Sequence, residues 1–236
     1  MCSSPPASCA DILARGASVG DGIYRIDPSG TGDPMMAFSV YCDMTNDGGG
    51  WTLALKTDGT LPTFDYDQAI WTDNTELNAA SLDLSHTEAK FRTFGTVPFT
   101  ALRVVFDVGA ARNAIVVHVA APSLLTGVNG PYLPSAEGRD VWQLLMPGET
   151  IQPNCGTAGL AQNLVVPYAH VRIGVIGNQE PECSTPDSFL GVGGSAAGNW
   201  CYGSIGQAVY STGQSGGGQC VPGGNTIPAF GFVFVR

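Results

Sequence analysis

Glycine and proline recur along the whole sequence, and they limit how much helix the chain can form. The 236 residues include 32 glycines and 16 prolines. Glycine in a helix interior costs conformational entropy, and proline removes a backbone donor and clashes with the preceding turn. We therefore exclude a long helical bundle and expect short strands with few helices.

The charge balance excludes one large class of partner. Lys+Arg number 10 against 20 Asp+Glu, which gives a formal net charge of −10. A nucleic-acid-binding surface needs a positive field, so we expect no nucleic-acid partner. The chain is 44% hydrophobic and only 13% charged, and this composition predicts a folded domain rather than disorder. The longest apolar stretch, residues 101–121, contains Arg103, Asp107 and Arg112, so we expect no membrane insertion.

Seven cysteines indicate an oxidising compartment. The sequence contains no C-x-x-C pair, and its three histidines lie far apart, which excludes the spacing of a structural zinc site. We therefore expect a secreted or cell-surface protein held together by disulfides.

Short alternating segments predict the strands. They read GIYRID, FSVYCDM, WTLALK, ALRVVFD, AIVVHV, AHVRIGV and AFGFVFVR. CADILARG predicts one or two helical turns that end at Gly16, and DVWQLLM predicts a short helix or strand. The final strand must pair with an earlier one, which favours one α+β domain. Residues 177–228 are rich in glycine and show almost no periodicity, so we expect a long loop there that is functional or held by cross-links and ions.

One string carries a specific resemblance. Residues 40–53 read VYCDMTNDGGGWTL after CADILARG and GIYRID, and this arrangement resembles the start of fibrinogen C-terminal-like domains. Further on, CSTPDSFLGVGG, NWCYG, Tyr210 and the last aromatic strand are similar to the intelectin branch of that superfamily. The resemblance implies a single α+β fibrinogen-like, intelectin-like domain at residues 9–236, with a C-terminal loop region ordered by disulfides and calcium. Residues 1–8 are then expected to be the remnant of a linker or stalk.

The resemblance also implies a first disulfide, between Cys9 and Cys42. The simplest remaining pairs are Cys155 with Cys183 and Cys201 with Cys220, and other connectivities stay open. Cys2 is the odd cysteine, left for a stalk or for another subunit, so a homo-oligomer stays open as well.

Oxygen-bearing side chains in the glycine-rich segment predict a calcium site. Ca²⁺ takes carboxylate, amide and carbonyl oxygens, and the candidates are Asn178, Glu180, Glu182, Asp187 and Asn199. By resemblance, Asn178 and Asp187 match ligand positions of the intelectins, which carry His at the second of them. A segment that holds a further Glu ligand in the intelectins is missing here, so part of the site must be rebuilt or lost. The alternative is that these acids are solvated on a loop.

Aromatic residues follow the candidate calcium ligands. Trp200 and Tyr210 are spaced like the Trp and Tyr that flank the bound glycan in the intelectins. The alternative is that Trp200 is a buried core residue and that Tyr202 faces the ligand.

Patterns that would indicate an enzyme are weak. GQSGG at residues 213–217 fits G-x-S-x-G, but GGQCVPGGN cannot supply the helix that this motif needs. GVGGSAAG at 191–198 lacks the spacing of a phosphate loop, and paired carboxylates in so acidic a chain do not by themselves indicate a glycosidase. We therefore expect no catalytic residues.

The resemblance implies a calcium-dependent lectin, in which two glycan hydroxyls bind a protein-held Ca²⁺ between aromatic side chains. The alternative is a fibrinogen-like adhesion or assembly module that recognises protein or acetylated groups, with purely structural calcium. Cell-surface or polysaccharide glycans are the expected partners of the first, and loss of binding in EDTA separates the two.

Overall fold

The computed structural model describes residues 4–33, 35–162, 169–195, 211–215 and 225–236. Four short α-helices lie in these ranges: α1 (Cys9–Ala14), α2 (Thr93–Thr96), α3 (Leu124–Asn129) and α4 (Arg139–Gln143). The strands in chain order are β1 (Gly22–Ile26), β2 (Phe38–Asp43), β3 (Trp51–Asp58), β4 (Ala89–Lys90), β5 (Phe99–Val108), β6 (Ala111–Ala121), β7 (Leu133–Pro134), β8 (Asn154–Gln162), β9 (His170–Asn178), β10 (Ser188–Ser195), β11 (Thr212–Ser215), β12 (Ile227–Pro228) and β13 (Phe230–Val235). Short strands with few helices confirm the predicted α+β class. No helix within the described ranges is long and apolar enough to cross a membrane.

The strands of the described residues form two antiparallel sheets. The first has the order β1-β2-β3-β13-β5-β6 with β4 on β3, and the second has the order β12-β11-β10-β9-β8-β7. The last strand of the chain therefore lies between β3 and β5, where Phe232 is opposite both Lys56 and Val105. The expectation that the terminal aromatic segment is a core strand is confirmed.

The main core lies between the two sheets. Val104 and Val233 from the first sheet belong to the same buried cluster as Ile173 and Leu190 from the second. Because side chains alternate along a strand, the phenylalanines of β13 point to the opposite face from Val233. There they join Trp51 in a second, smaller cluster.

The aromatic rings of β13 lie beneath nitrogen-bearing side chains. The pairs are His86 with Phe230, Arg112 with Phe232 and Arg103 with Phe234, at 4.4, 5.2 and 5.7 Å from the ring centroids. The face of an aromatic ring attracts a guanidinium, so the arginines cover apolar surface while keeping their charge. Much of the chain's small positive charge thus lies on side chains that pack against the protein's own aromatic rings.

The string YCDMTNDGGGW builds a tight corner between β2 and β3. Asp43 accepts hydrogen bonds from the backbone N–H groups of Thr45 and Asn46 at 3.2 and 2.9 Å. A Cβ atom on Gly49 would lie 2.1 Å from the Met44 carbonyl oxygen, and one on Gly50 would lie 2.9 Å from Ala10 Cα. The glycines are therefore required by the close approach of β2, β3 and α1, as a fold-forming motif predicts.

A disulfide between Cys9 and Cys42 joins α1 to β2. The Ser8 side chain accepts a hydrogen bond from the N–H of Asp11 at 3.2 Å and so caps α1. Residues before the helix also contact the domain, since the Asp27 N–H donates to the Pro6 carbonyl at 2.7 Å. Residues 4–8, expected to be a linker or stalk, thus contact the folded domain.

The only two lysines of the chain are buried and organise the acidic region at residues 59–96. Lys56 is fully buried, and its ammonium donates to Ser81, Asp83 and Ser85. Lys90 is 1% exposed and donates to the carbonyls of Ile70 and Asp73. Each ammonium gathers several oxygens around one charge, and each loop is thereby fixed to the first sheet.

The expectation of one long loop at residues 177–228 is wrong, because β10, β11 and β12 lie inside it. Gly191 of β10 is opposite Gly174 on one side and Gly213 on the other. A Cβ atom on Gly191 would lie 2.2 Å from the Ile173 carbonyl oxygen, so glycine is required for the close strand approach. Buried glycine-rich strands show no polar alternation, which is why the sequence pattern indicates a loop. The segments GVGGSAAG and GQSGG are thus partly strand.

Candidate functional site

The acidic turn at residues 179–187 connects β9 to β10 at one end of the second sheet. Gly177 is opposite Ser188 at this end, and a disulfide from Cys183 to Cys155 ties the turn to β8. The structure therefore contains the second disulfide pair expected from the sequence. Cys201 and Cys220, the third expected pair, lie outside the described residues.

Asn178 and Glu182 bind each other across this turn. Asn178 is fully buried, and its amide donates to Glu182 Oε1 at 2.6 Å and to the Glu182 carbonyl at 3.0 Å. The Glu182 carboxylate also accepts hydrogen bonds from Ser184 and Thr185. These bonds, from Ser184 first and then Thr185, lower the pKa of Glu182 to about 2. Glu182 is therefore an anion whose oxygens are already bound by side chains of its own turn.

Asp187 lies beside a residue that the sequence reading missed. Asp187 is buried, and Gln152 Nε2 donates to its Oδ2 at 3.1 Å. Gln152 is fully buried as well, and its Oε1 has no hydrogen-bond donor within the described residues. Only the pairing of β8 with β9 brings this glutamine to the turn, so no local sequence signal could have indicated it.

The structure brings only some of the predicted calcium ligands close together. Asn178, Glu182 and Asp187 share one end of the sheet, whereas Glu180 is exposed and accepts from Gln179 Nε2 at 3.0 Å. Among the described residues, no group of three His, Cys, Asp or Glu side chains is close enough to hold a metal ion. Asn199 lies outside those residues. What fits a hard cation is the Asp187 carboxylate beside the buried acceptor of Gln152.

The predicted aromatic residues Trp200, Tyr202 and Tyr210 lie outside the described residues, but the positions that flank them are informative. Ser195 is opposite His170, and the Gly194 N–H donates to the Ser211 carbonyl at 2.8 Å. Both flanks therefore lie at the end of the second sheet opposite the acidic turn. β10 has eight residues and spans about 23 Å.

A second cluster of polar and aromatic side chains lies at this opposite end. The Tyr66 ring contacts the His170 ring at 4.0 Å between centroids, and the Arg172 guanidinium lies 4.1 Å from the Tyr66 centroid. Arg172 also donates to the carbonyls of Tyr66 and Val128. Burial raises the pKa of the Tyr66 hydroxyl and lowers that of Arg172. The cluster therefore lies at the same end of the second sheet as Ser195 and Ser211.

The N-terminal part of the chain is similar in sequence to known proteins. Residues 5–74 match the family model of the C-terminal globular domain of fibrinogen beta and gamma chains. Human microfibril-associated glycoprotein 4 is 46% identical over 56 residues, which are 24% of this chain and 20% of that protein. Techylectin-5A of Tachypleus tridentatus is 39% identical over 69 residues, which are 29% of this chain and 23% of that protein. The matched segments thus span about a fifth of these relatives.

Among solved structures, the fibrinogen-like globe domain of human ANGPTL2 aligns over 97% of this chain and 98% of its own, at 13% identity and a TM-score of 0.40. The sequence match covers α1, the first three strands and the YCDMTNDGGGW corner, which are the parts that carried the resemblance. The intelectin-like features of the C-terminal part stay a prediction. The N-terminal third of the chain, residues 5–74, is thus similar to the C-terminal globular domain of fibrinogen beta and gamma chains.

Proposed function

We propose that this domain binds glycans through a calcium ion held at the acidic turn of the second sheet. The observation that carries the proposal is the buried, donor-free Oε1 of Gln152 beside the Asp187 carboxylate. A buried acceptor without a donor costs free energy, and a hard cation would satisfy it. The net charge of −10 also favours cation binding.

Asp187 and Gln152 would be the first ligands, because both are buried and lie within hydrogen-bond distance of each other. Glu180 is exposed on the same turn and is free to approach from solvent. A bound calcium ion would supply open coordination positions at which glycan hydroxyls replace water. The disulfide at Cys183 limits how far the turn can move from β8.

The relatives support a binding module rather than an enzyme. Techylectin-5A is named as a lectin, and fibrinogen-like domains recur among the other matches. The two disulfides support a secreted or cell-surface location. The name of microfibril-associated glycoprotein 4 favours the second candidate, an adhesion or assembly module in which calcium is only structural.

A glycan array probed with the full chain in calcium chloride and in EDTA tests the proposal. We expect metal-content mass spectrometry to find bound calcium and EDTA to abolish the glycan signal. Glycan signal that persists in EDTA would show that the glycan does not need the calcium ion, and binding only to proteins would favour the adhesion module. Absence of both calcium and glycan binding would overturn the proposal.

Gln152→Glu gives a sharper test of the metal. The variant places a second carboxylate against Asp187, and two buried like charges repel. With calcium the variant should bind the ion more tightly than the wild type, whereas in EDTA its melting temperature should fall. Asp33→Asn, an exposed acid in another loop, is the matched control. If the melting temperature of the variant is the same with calcium and in EDTA, no ion binds there.

A further inference from the structure

A small cleft opens on the outer face of the first sheet, far along the chain from the acidic turn. Its volume is about 110 Å³, and Phe232, Phe234, Val105 and Leu84 form its apolar part. The two phenylalanines are 1% exposed and belong to the buried aromatic cluster of β13. The base of the cleft is therefore rigid and apolar.

Hydrogen-bond donors are available on one side of the cleft. Tyr41 is half-buried, and its hydroxyl makes no hydrogen bond with the described residues. The Arg112 Nε and Nη2 atoms donate to Asp107, both at 2.6 Å, and this leaves Nη1 without a partner among those residues. Burial, together with the nearby Asp21 and Asp43, raises the pKa of Tyr41 and keeps its hydroxyl protonated.

Acceptors are available on the other side. Asn46 donates through Nδ2 to both Asp43 oxygens, at 3.2 and 3.0 Å, so its Oδ1 is left to accept. Within the described part of the chain, the Asp21 carboxylate accepts only from the Met44 N–H and the Thr45 hydroxyl, at 2.7 and 3.0 Å, and it lies exposed at the rim. A carboxylate has about four lone-pair sites, so Asp21 retains capacity for a ligand.

The charges exclude an ionic ligand. Arg103 is paired with Asp43 at 3.1 Å and with Asp47 at 2.6 Å, and Arg112 is paired with Asp107. Carboxylates in and behind the cleft therefore outnumber guanidinium groups, which disfavours an anion. The carboxylates other than Asp21 are each already paired with a guanidinium, which leaves a cation few ligands. A neutral ligand that both donates and accepts hydrogen bonds matches this rim.

We propose that the cleft binds one edge of a neutral saccharide without calcium. A saccharide offers C–H groups to the phenylalanine and leucine side chains, and its hydroxyls can accept from Tyr41 and Arg112 while donating to Asp21 and Asn46. Ile23, opposite Tyr41 in the β1–β2 register and 60% exposed, extends the apolar surface beyond the cleft. This subsite deepens the proposed glycan-binding function but rests on different residues.

The test is a titration of the full chain with D-glucose, D-galactose and D-mannose in EDTA, followed by NMR of the arginine Nε–H and backbone amide signals. We expect saturable shifts at Arg112 and along β2 for at least one hexose, and weaker shifts with sodium glucuronate. Tyr41→Phe keeps the ring and removes the free hydroxyl, so it should weaken binding by about threefold to tenfold. Asp21→Asn should weaken it as well, whereas Tyr132→Phe, in another part of the fold, should leave it unchanged.

No saturable shift with any of the three hexoses would overturn the subsite, as would equal affinity in Tyr41→Phe and the wild type. Tighter binding of glucuronate than of the hexoses would also overturn it. Because the titration contains EDTA, its outcome is independent of the calcium site. Loss of the array signal in EDTA together with hexose shifts in the titration would support both proposals.

Discussion

Lys56 Nζ donates a hydrogen bond of 3.1 Å to the backbone carbonyl of Ser85, 29 residues further along the chain. The same ammonium also binds Ser81 and Asp83, at 2.8 Å and at 3.1 to 3.2 Å. A loop with little apolar content is thus ordered by one internal charge, much as a bound cation would order it.

Replacing Lys56 with Met should therefore lower the free energy of unfolding by about 2–4 kcal/mol, because backbone carbonyls lose a charged donor inside the protein. Urea denaturation of the variant measures this. Arg25→Met, at an exposed position of β1, should change stability by no more than about 0.5 kcal/mol. Equal stability of the wild type and Lys56→Met would show that the loop is held by other contacts.

Burial of both lysines predicts an unusual response to amine reagents. Lys56 and Lys90 are the only lysines and are at most 1% exposed. Treatment of the native protein with an N-hydroxysuccinimide ester should leave both lysines unmodified, and urea should make both lysines reactive. Peptide mass spectrometry measures the modification of each lysine in the native protein and in urea. Fast labelling of Lys56 in the native protein would contradict the structure.

The protein should become less stable as the pH rises through the titration range of Asp65. Burial first, and then the nearby Asp67 and Glu88, raise the pKa of Asp65 from 3.8 to about 6. Between about pH 4 and 6 the folded state therefore holds a proton that the unfolded chain has lost, so the free energy of unfolding falls across this window.

Asp65→Asn removes this titration. At pH 7 the variant should be more stable than the wild type by about 1 kcal/mol, a value reduced for solvent screening, and at pH 4 the two should be similar. Thermal melts at several pH values give the comparison. If the stability difference between the variant and the wild type does not change with pH, the pKa of Asp65 is not raised.

The Cys155–Cys183 disulfide should matter for stability and for the acidic turn alike. The bridge closes a separation of 28 residues, for which the loop-entropy model gives about 3–4 kcal/mol. Serine at both positions should lower the unfolding free energy by that amount and expose residues 179–187 to protease. Cys2→Ser, which removes the odd cysteine, should do neither.

Trp200 and Tyr210 lie outside the described residues, so their role beside a glycan stays a prediction. If they flank a calcium-bound glycan, Trp200→Ala or Tyr210→Ala should weaken glycan binding several-fold while calcium content and melting temperature stay the same. Ser195 and Ser211, the described residues on either side, lie at the end of β10 opposite the acidic turn. If Trp200→Ala does not fold, Trp200 is a buried core residue rather than part of the glycan site.

Local patterns predicted the parts of the fold that depend on local chemistry. The glycines of YCDMTNDGGGW indicate a tight corner, and alternation in AFGFVFVR indicates a strand. The glycine-rich β10 was missed because its side chains are too small to show which face is buried. Lys56 lies in the alternating string WTLALK, where a lysine ordinarily indicates a solvent-facing position.

The candidate site was predictable only in part for a related reason. Asn178, Glu182 and Asp187 lie close in sequence, so their clustering follows from one turn. Gln152 reaches Asp187 only through the pairing of strands that are distant in sequence, and such contacts leave no local pattern. The cleft beside Tyr41 depends on four strands and was not visible for the same reason.

The position of β13 has a consequence for the order in which the chain can fold during synthesis. Phe230–Val235 lies between β3 and β5, so the centre of the first sheet is unfilled until this strand leaves the ribosome. Until then β3 and β5 each present an unpaired edge, and closing the gap joins segments more than 120 residues apart. Sheets that depend on such distant pairing form slowly and leave open edges that can aggregate. The nascent chain should therefore keep these two edges open to aggregation until β13 is in place.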